Sequence, residues 1–213
     1  MSVLSSHIFE YVRCPVFLNK ERLMNNNYHP TLWRTCRVLA HPQRLACLKE
    51  VLLSPNATVE EIAVATGLPH CKASLNLRAL QARGLISVRR HSRWAHYLPQ
   101  PDPLVPSAAP ALAAMKRALV SDPLPNEEIL ATMTAFTHSR RLDILCQLTL
   151  EKRPQAEKAL SAATRISPQA LWRHLKNLES RRLAVHAEGG WLLSPTHSLL
   201  ARRFLALLTD ETS

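Results

Sequence analysis

A chain of 213 residues, 46% hydrophobic and 20% charged, is long enough for two modest domains with a core each. Aromatics at 5% and only four glycines favour helices over a sandwich or barrel, and leave too little glycine for a nucleotide cradle. The net charge of +11 points to a polyanionic partner, and it is uneven: residues 1–100 carry 13 Lys/Arg against 5 Asp/Glu, residues 101–213 carry 14 against 11. Five cysteines without close pairing imply no disulfide framework and suit a reducing compartment. No run of 18 apolar residues and no signal core is present, so the expected location is the cytoplasm, away from membranes.

Residues 1–30 show no clear period and end in Asn25-Asn26-Asn27. They read as a flexible leader, with Met24 as an alternative start, or as a segment docked on the first domain. Helical patterning begins with the stripe Leu32, Cys36 and Leu39. Pro42 is well placed to open a second helix with Leu45, Leu48 and Leu52 inward. Thr58 caps a third, with Glu61 completing a capping box and Ile62 and Ala65 facing inward. Gly67 supplies the tight turn, and a fourth helix follows with Ala73, Leu77 and Leu80 at helical spacing until Gly84. Two β-prone runs, Leu85 to Arg89 and Trp94 to Leu98, flank a basic tip from Arg90 to Arg93 and predict a hairpin. Helix, turn, helix, hairpin is the order of a winged helix-turn-helix.

Seven prolines between Pro99 and Pro125 bracket one further helix, Ala111 to Val120. The pattern then restarts. HSRRLDIL from His138 repeats HPQRLACL from His41, 97 residues on, and the later elements recur in the same order to Leu208. The predicted fold is mainly α with small β-hairpins (α+β), as two tandem winged helix-turn-helix domains at 31–121 and 128–213 joined by a linker at 122–127.

HPQRLACL, HSRRLDIL and LPHCKASLNLRALQARGLISV resemble the ArsR-type winged helix-turn-helix repressors, with ISPQALWRHLKNLESRRLAV a weaker copy. The resemblance implies a sequence-specific DNA-binding transcriptional regulator, a repressor, with double-stranded DNA as partner. It further implies pairing through first and last helices, as a homodimer or, in a tandem chain, an intramolecular pseudo-dimer. Other readings of tandem winged helices are a protein–protein scaffold of a chromosome-associated complex and a plasmid-type replication initiator.

Taking Ala73, Leu77 and Leu80 as buried leaves His70, Lys72, Ser74, Asn76 and Arg78 as the polar positions of the recognition helix. Asn76 suits adenine, Lys72 guanine or a phosphate, and Arg78 and Arg83 the backbone. Arg89, Arg90 and Arg93 make the wing positive, fit for the minor groove. In the second copy Gln169, Arg173, His174 and Lys176 are expected outward, with Arg181 and Arg182 near phosphates. Arg165 and Arg182 replace the turn glycines there, so its turns read as less well specified. Its tip, Ala187-Glu188-Gly189-Gly190, carries no positive charge. Weaker DNA contact, or a role as pairing surface, is expected of that copy, with Trp172 exposed.

The resembled family's metal sensors use a Cys-x-Cys pair or His and carboxylate clusters. Thr58 to Thr66 has no cysteine, and Thr196 to Leu208 offers only His197. Cys36, Cys47 and Cys146 read as buried thiols; Cys71 with His70, or His91 with His96, lack diagnostic spacing. Trp94 and Trp191 read as core. No GxSxG, HExxH or CxxC motif appears, so the expectation is a non-enzyme without metal or cofactor.

Overall fold

A computed structural model describes residues 29–195 and 198–209. The expected leader, the alternative start at Met24 and Cys14 lie outside the described residues, as do Thr196 and His197.

The first half runs α1 (His29–Leu39), α2 (Pro42–Leu53), α3 (Val59–Thr66), α4 (His70–Gln81), β1 (Ser87–His91), β2 (Trp94–Leu98) and α5 (Ala108–Lys116). A single π turn, Arg117–Ser121, continues α5. The second half runs α6 (Asn126–Ala135), α7 (Ser139–Glu151), α8 (Glu157–Thr164), α9 (Pro168–Ser180), β3 (Ala184–Ala187), β4 (Gly190–Leu193) and α10 (Leu199–Thr209). The chain is mainly helical with two antiparallel hairpins, an α+β arrangement. No described helix is long and apolar enough to cross a membrane.

Local chemistry sets most helix starts. Pro42 opens α2 and Pro168 opens α9, where a missing N–H costs nothing. Thr58 and Glu61 form the expected capping box, Glu61 N–H donating to the Thr58 hydroxyl and Thr58 N–H to the Glu61 carboxylate. These bonds from Thr58 hold the Glu61 carboxyl below its usual range. On α3 the buried pair is Ile62 and Ala63, and Ala65 is exposed, contrary to the spacing argument. An eight-residue helix offers room for only one contact line, and the packing of α2 and α4 selects it.

Strand β1 begins two residues later than expected, and the turn of the hairpin β1–β2 is tighter. Pairing continues through Arg90↔Ala95 and His91↔Trp94, leaving Ser92 and Arg93 as the tip, with Ser92 in the left-handed region at φ 54°. In each half one residue ahead of the third helix bridges the second strand, Thr58 to His96 and Gln155 to Trp191. The sheet thereby gains a short third edge.

The second-half turns are fully formed. Arg165 (φ 55°) and Arg182 (φ 57°) occupy the left-handed conformations that Gly67 (φ 66°) and Gly84 (φ 67°) occupy in the first half. Leu183 N–H reaches the Leu178 carbonyl at 3.0 Å, as Leu85 reaches Leu80 at 3.1 Å. Burial of Ile166 beside Arg165, and of Leu178 and Leu183 around Arg182, outweighs the strain of a left-handed arginine.

One continuous hydrophobic core runs from Leu32 to Leu208 through both halves. The halves meet along α1 against α6 and α7, and along α5 against α10. Trp191 is buried, its indole N–H donating to the Glu157 carboxylate at 3.1 Å. Trp94 is exposed, because its strand position sits beside the tip, where no helix covers it; its expected core role is corrected. Trp172 is exposed as expected.

Candidate functional site

The α3–α4 corner is built from a left-handed Gly67 and the Leu68 N–H bonded to the Ala63 carbonyl at 3.0 Å. Pro69 precedes α4 in extended geometry, so His70 and Lys72 emerge at its first turn. Both are exposed, and His70 lies 3.9 Å from Glu60. Arg78, Arg89, Arg90 and Arg93 are exposed, while Arg83 is half-buried. The Arg93 guanidinium lies 5.7 Å from the Trp94 ring centroid. Within the described residues, Lys72, Arg78, Arg89, Arg90 and Arg93 have no carboxylate at ion-pair distance.

Asn76 departs from expectation. It is buried (7% exposed), with its amide directed at Gln43 on α2 over a long 3.5 Å contact. Ser74 is half-buried, and the outer face shows Cys71 and an exposed Leu75. The cause was visible in the spacing: Ala73, Leu77 and Leu80 are positions i, i+4 and i+7 of one stripe, and Asn76 is its i+3 member. His174 fails for the same reason, lying three residues after the buried Leu171. It is half-buried, with its ring tilted against that of His138, centroids 4.8 Å apart. Burial, then the charges of His138, Arg141, Arg140 and Arg173, push its imidazole down to about 4.

Gln169, Arg173 and Lys176 are exposed on α9. Lys176 is engaged, 2.7 Å from Glu179 and 5.3 Å from the Trp191 ring centroid. Arg181 is half-buried and donates to the Asn177 carbonyl at 3.1 Å, whereas Arg182 is exposed.

Cys36, Cys47 and Cys146 are buried, and desolvation raises all three thiols, Cys47 to about 11 and Cys146 to about 12. Cys71 is exposed. His91 and His96 lie apart in the hairpin, and His96 Nδ1 is 2.8 Å from the Asn56 carbonyl. No three His, Cys, Asp or Glu side chains converge among the described residues.

A charged feature that sequence reasoning passed over is the repeated His-x-x-Arg at 41/44 and 138/141. His41 and His138 share an extended backbone (φ −146° and −139°) ahead of α2 and α7. Arg44 folds back toward the Arg37 and Val38 carbonyls at 3.4 Å each. Arg141 does the same more tightly, reaching the Ala135 and Thr134 carbonyls at 2.7 and 2.8 Å. The signal was the duplicated motif itself, read only as a helix start.

Neither a family model nor a curated protein matches the chain. Among solved structures it matches human N-acetylserotonin methyltransferase in complex with SAM, at 16% identity and a TM-score of 0.30. The match covers 77% of this chain and 43% of that one, so the chain spans less than half of that protein's length. These findings correct the family expectation: no family model supports ArsR-type membership, and the matched structure is an enzyme of another kind. The transcriptional regulator or repressor is withdrawn with it, together with the chromosome-associated scaffold and the replication initiator. The non-enzyme expectation is withdrawn too, because the matched protein is a methyltransferase. A TM-score of 0.30 carries no methyl-transfer chemistry over to this chain.

Proposed function

We propose that the chain is a tandem pair of winged helix-turn-helix units at 31–121 and 128–213, joined as an intramolecular pseudo-dimer, whose first unit holds duplex DNA through its phosphates. The repeated order of four helices, hairpin and trailing helix supports the two units, as do the matching bridges Thr58–His96 and Gln155–Trp191. Packing of α1 on α6 and of α5 on α10, first helix with first and last with last, supports the pseudo-dimer.

The observation that carries the DNA reading is the set Lys72, Arg78, Arg89, Arg90 and Arg93, exposed on α4 and its hairpin without carboxylate partners among the described residues. Such a face favours phosphate contact, which is insensitive to sequence. With Asn76 buried and Ser74 half-buried, the helix keeps little with which to read bases. The second unit, with an acidic tip at Glu188 and Lys176 already paired, contributes less.

The test is a titration of the full chain with labelled duplexes of unrelated sequence across a salt series. Five phosphate contacts predict an affinity loss of roughly 500-fold between 50 and 200 mM salt, with similar values for all duplexes. Lys72→Ala and Arg90→Ala should each lower the salt slope by about 1. Absence of binding to any duplex at low salt would sink the proposal.

A further inference from the structure

We propose that the seam between the two halves is a binding site for a small phosphate-class oxyanion, such as a diphosphate or phosphate ester. An open cavity of about 400 Å³ lies where α1 meets the start of α7, lined by Trp33, Arg37, Thr137, His138, Ser139 and Arg141. Neither half alone makes it, since Trp33 and Arg37 come from the first and the rest from the second.

The cavity gathers positive charge and hydrogen-bond donors. Arg141 is held by three bonds, Nε to the Ala135 carbonyl and Nη2 to the Thr134 carbonyl and the Thr137 hydroxyl. Its Nη1 makes none of them, so the two Nη1 hydrogens remain as positioned donors with little ordering cost. His138 Nδ1 accepts from the Arg140 N–H at 3.2 Å, which leaves Nε2 as the donor of the neutral ring. Arg37 is exposed, its guanidinium 5.6 Å from the Trp33 ring centroid. The groups acting on His138 are Arg140, Arg141 and Asp143 from α7, Arg37 from α1, and His174 tilted against it from α9. Asp143 is the single carboxylate in that set.

Arginines collected from two helices around a concave space repel one another until an anion enters. A tetrahedral oxyanion offers three or more acceptor oxygens where a carboxylate offers two, so it can meet Arg37, Arg141 and His138 together. The cavity is open to solvent, which leaves room for a diphosphate or an ester as well as for a single phosphate group. Burial first, and then the neighbouring arginines, hold His138 below its ordinary range. A bound anion reverses the second of these, so binding takes up a proton and tightens as pH falls.

Phosphate chemistry is shared by a small ligand and a DNA backbone, and calorimetry on the full chain separates them. Pyrophosphate should bind with one-to-one saturation, weakened about tenfold or more by Arg37→Gln and unchanged by the wing variant Arg90→Ala. Circular dichroism of the Arg37→Gln variant is the control, and the exposed change should leave its spectrum that of the parent chain. Sulfate, which does not titrate in the range, should bind more tightly at pH 5.5 than at pH 7.5. Three results would overturn the site: no saturable binding, equal losses in both variants, or an Arg37→Gln defect confined to duplex DNA. None of them bears on whether Lys72 and Arg90 hold duplex DNA.

Discussion

The two halves reach the same backbone by different residues. Where the first half turns on Gly67 and Gly84, the second forces Arg165 and Arg182 into the same left-handed region. Where the first half places Asn76 on the inner stripe of α4, the second places His174 on that of α9. Where the first half exposes Trp94 beside a basic tip, the second buries Trp191 against its bridge to Gln155. The comparison teaches that flanking packing sets the turn geometry, while residue type sets its cost and its response to pH. Charge divides along the same line, since the first 100 residues carry most of the excess.

The sharpest way to break this comparison is the tryptophan pair. Trp191→Ala should lose about 3–5 kcal/mol, from the cavity left by a fully buried ring and the Glu157 carboxylate left without its donor. Trp94→Ala should stay within about 0.5 kcal/mol. Denaturant unfolding of both variants checks it, and equal losses would overturn the contrast between a buried Trp191 and an exposed Trp94.

The turns come next. Gly84→Ala should cost about 2–3 kcal/mol, because φ is +67° and the added Cβ would meet the Asp102 Cβ at 2.8 Å. Arg182→Gly should instead stabilise by roughly 0.5–1 kcal/mol, relieving a left-handed side chain. Matched unfolding curves read both signs, and a loss for Arg182→Gly would show that the arginine is held by contacts worth more than its strain.

The smallest effect is the histidine. With its imidazole lowered in the folded chain, His174 favours folding while neutral, a contribution present above its unfolded value near 6.5 and lost as pH falls toward about 4. His174→Asn, which copies the first half, should leave stability near pH 7.5 almost unchanged and flatten the loss over that window. Stability measured at half-unit steps from pH 7.5 to 4 tests this. An unchanged slope would place the acid sensitivity in other groups.

Much of the fold was legible because it rests on short-range chemistry. The Thr58–Glu61 capping box, the prolines opening α2 and α9, and the 97-residue repeat all declare themselves within a few residues of where they act. The candidate site was less legible. Lys72 and the hairpin arginines are exposed as read, whereas Asn76 and His174 look outward by polarity while their spacing puts them on the buried stripe. Function was the least legible part. A resemblance carried by four segments suggested a family that no family model supports.

By itself, then, the order of residues determined the helices, the hairpins, the repeated His-x-x-Arg-Leu motif and the basic first half, since caps, turns and hydrophobic period act locally. Only the tertiary structure decided that α1 would pack on α6 and α7, which brings Arg37 to His138 and Arg141 across about a hundred positions. It also decided which tryptophan is covered and which left-handed arginines are tolerated. Those outcomes depend on what lies on the far side of each contact, and neighbours along the chain carry no record of it.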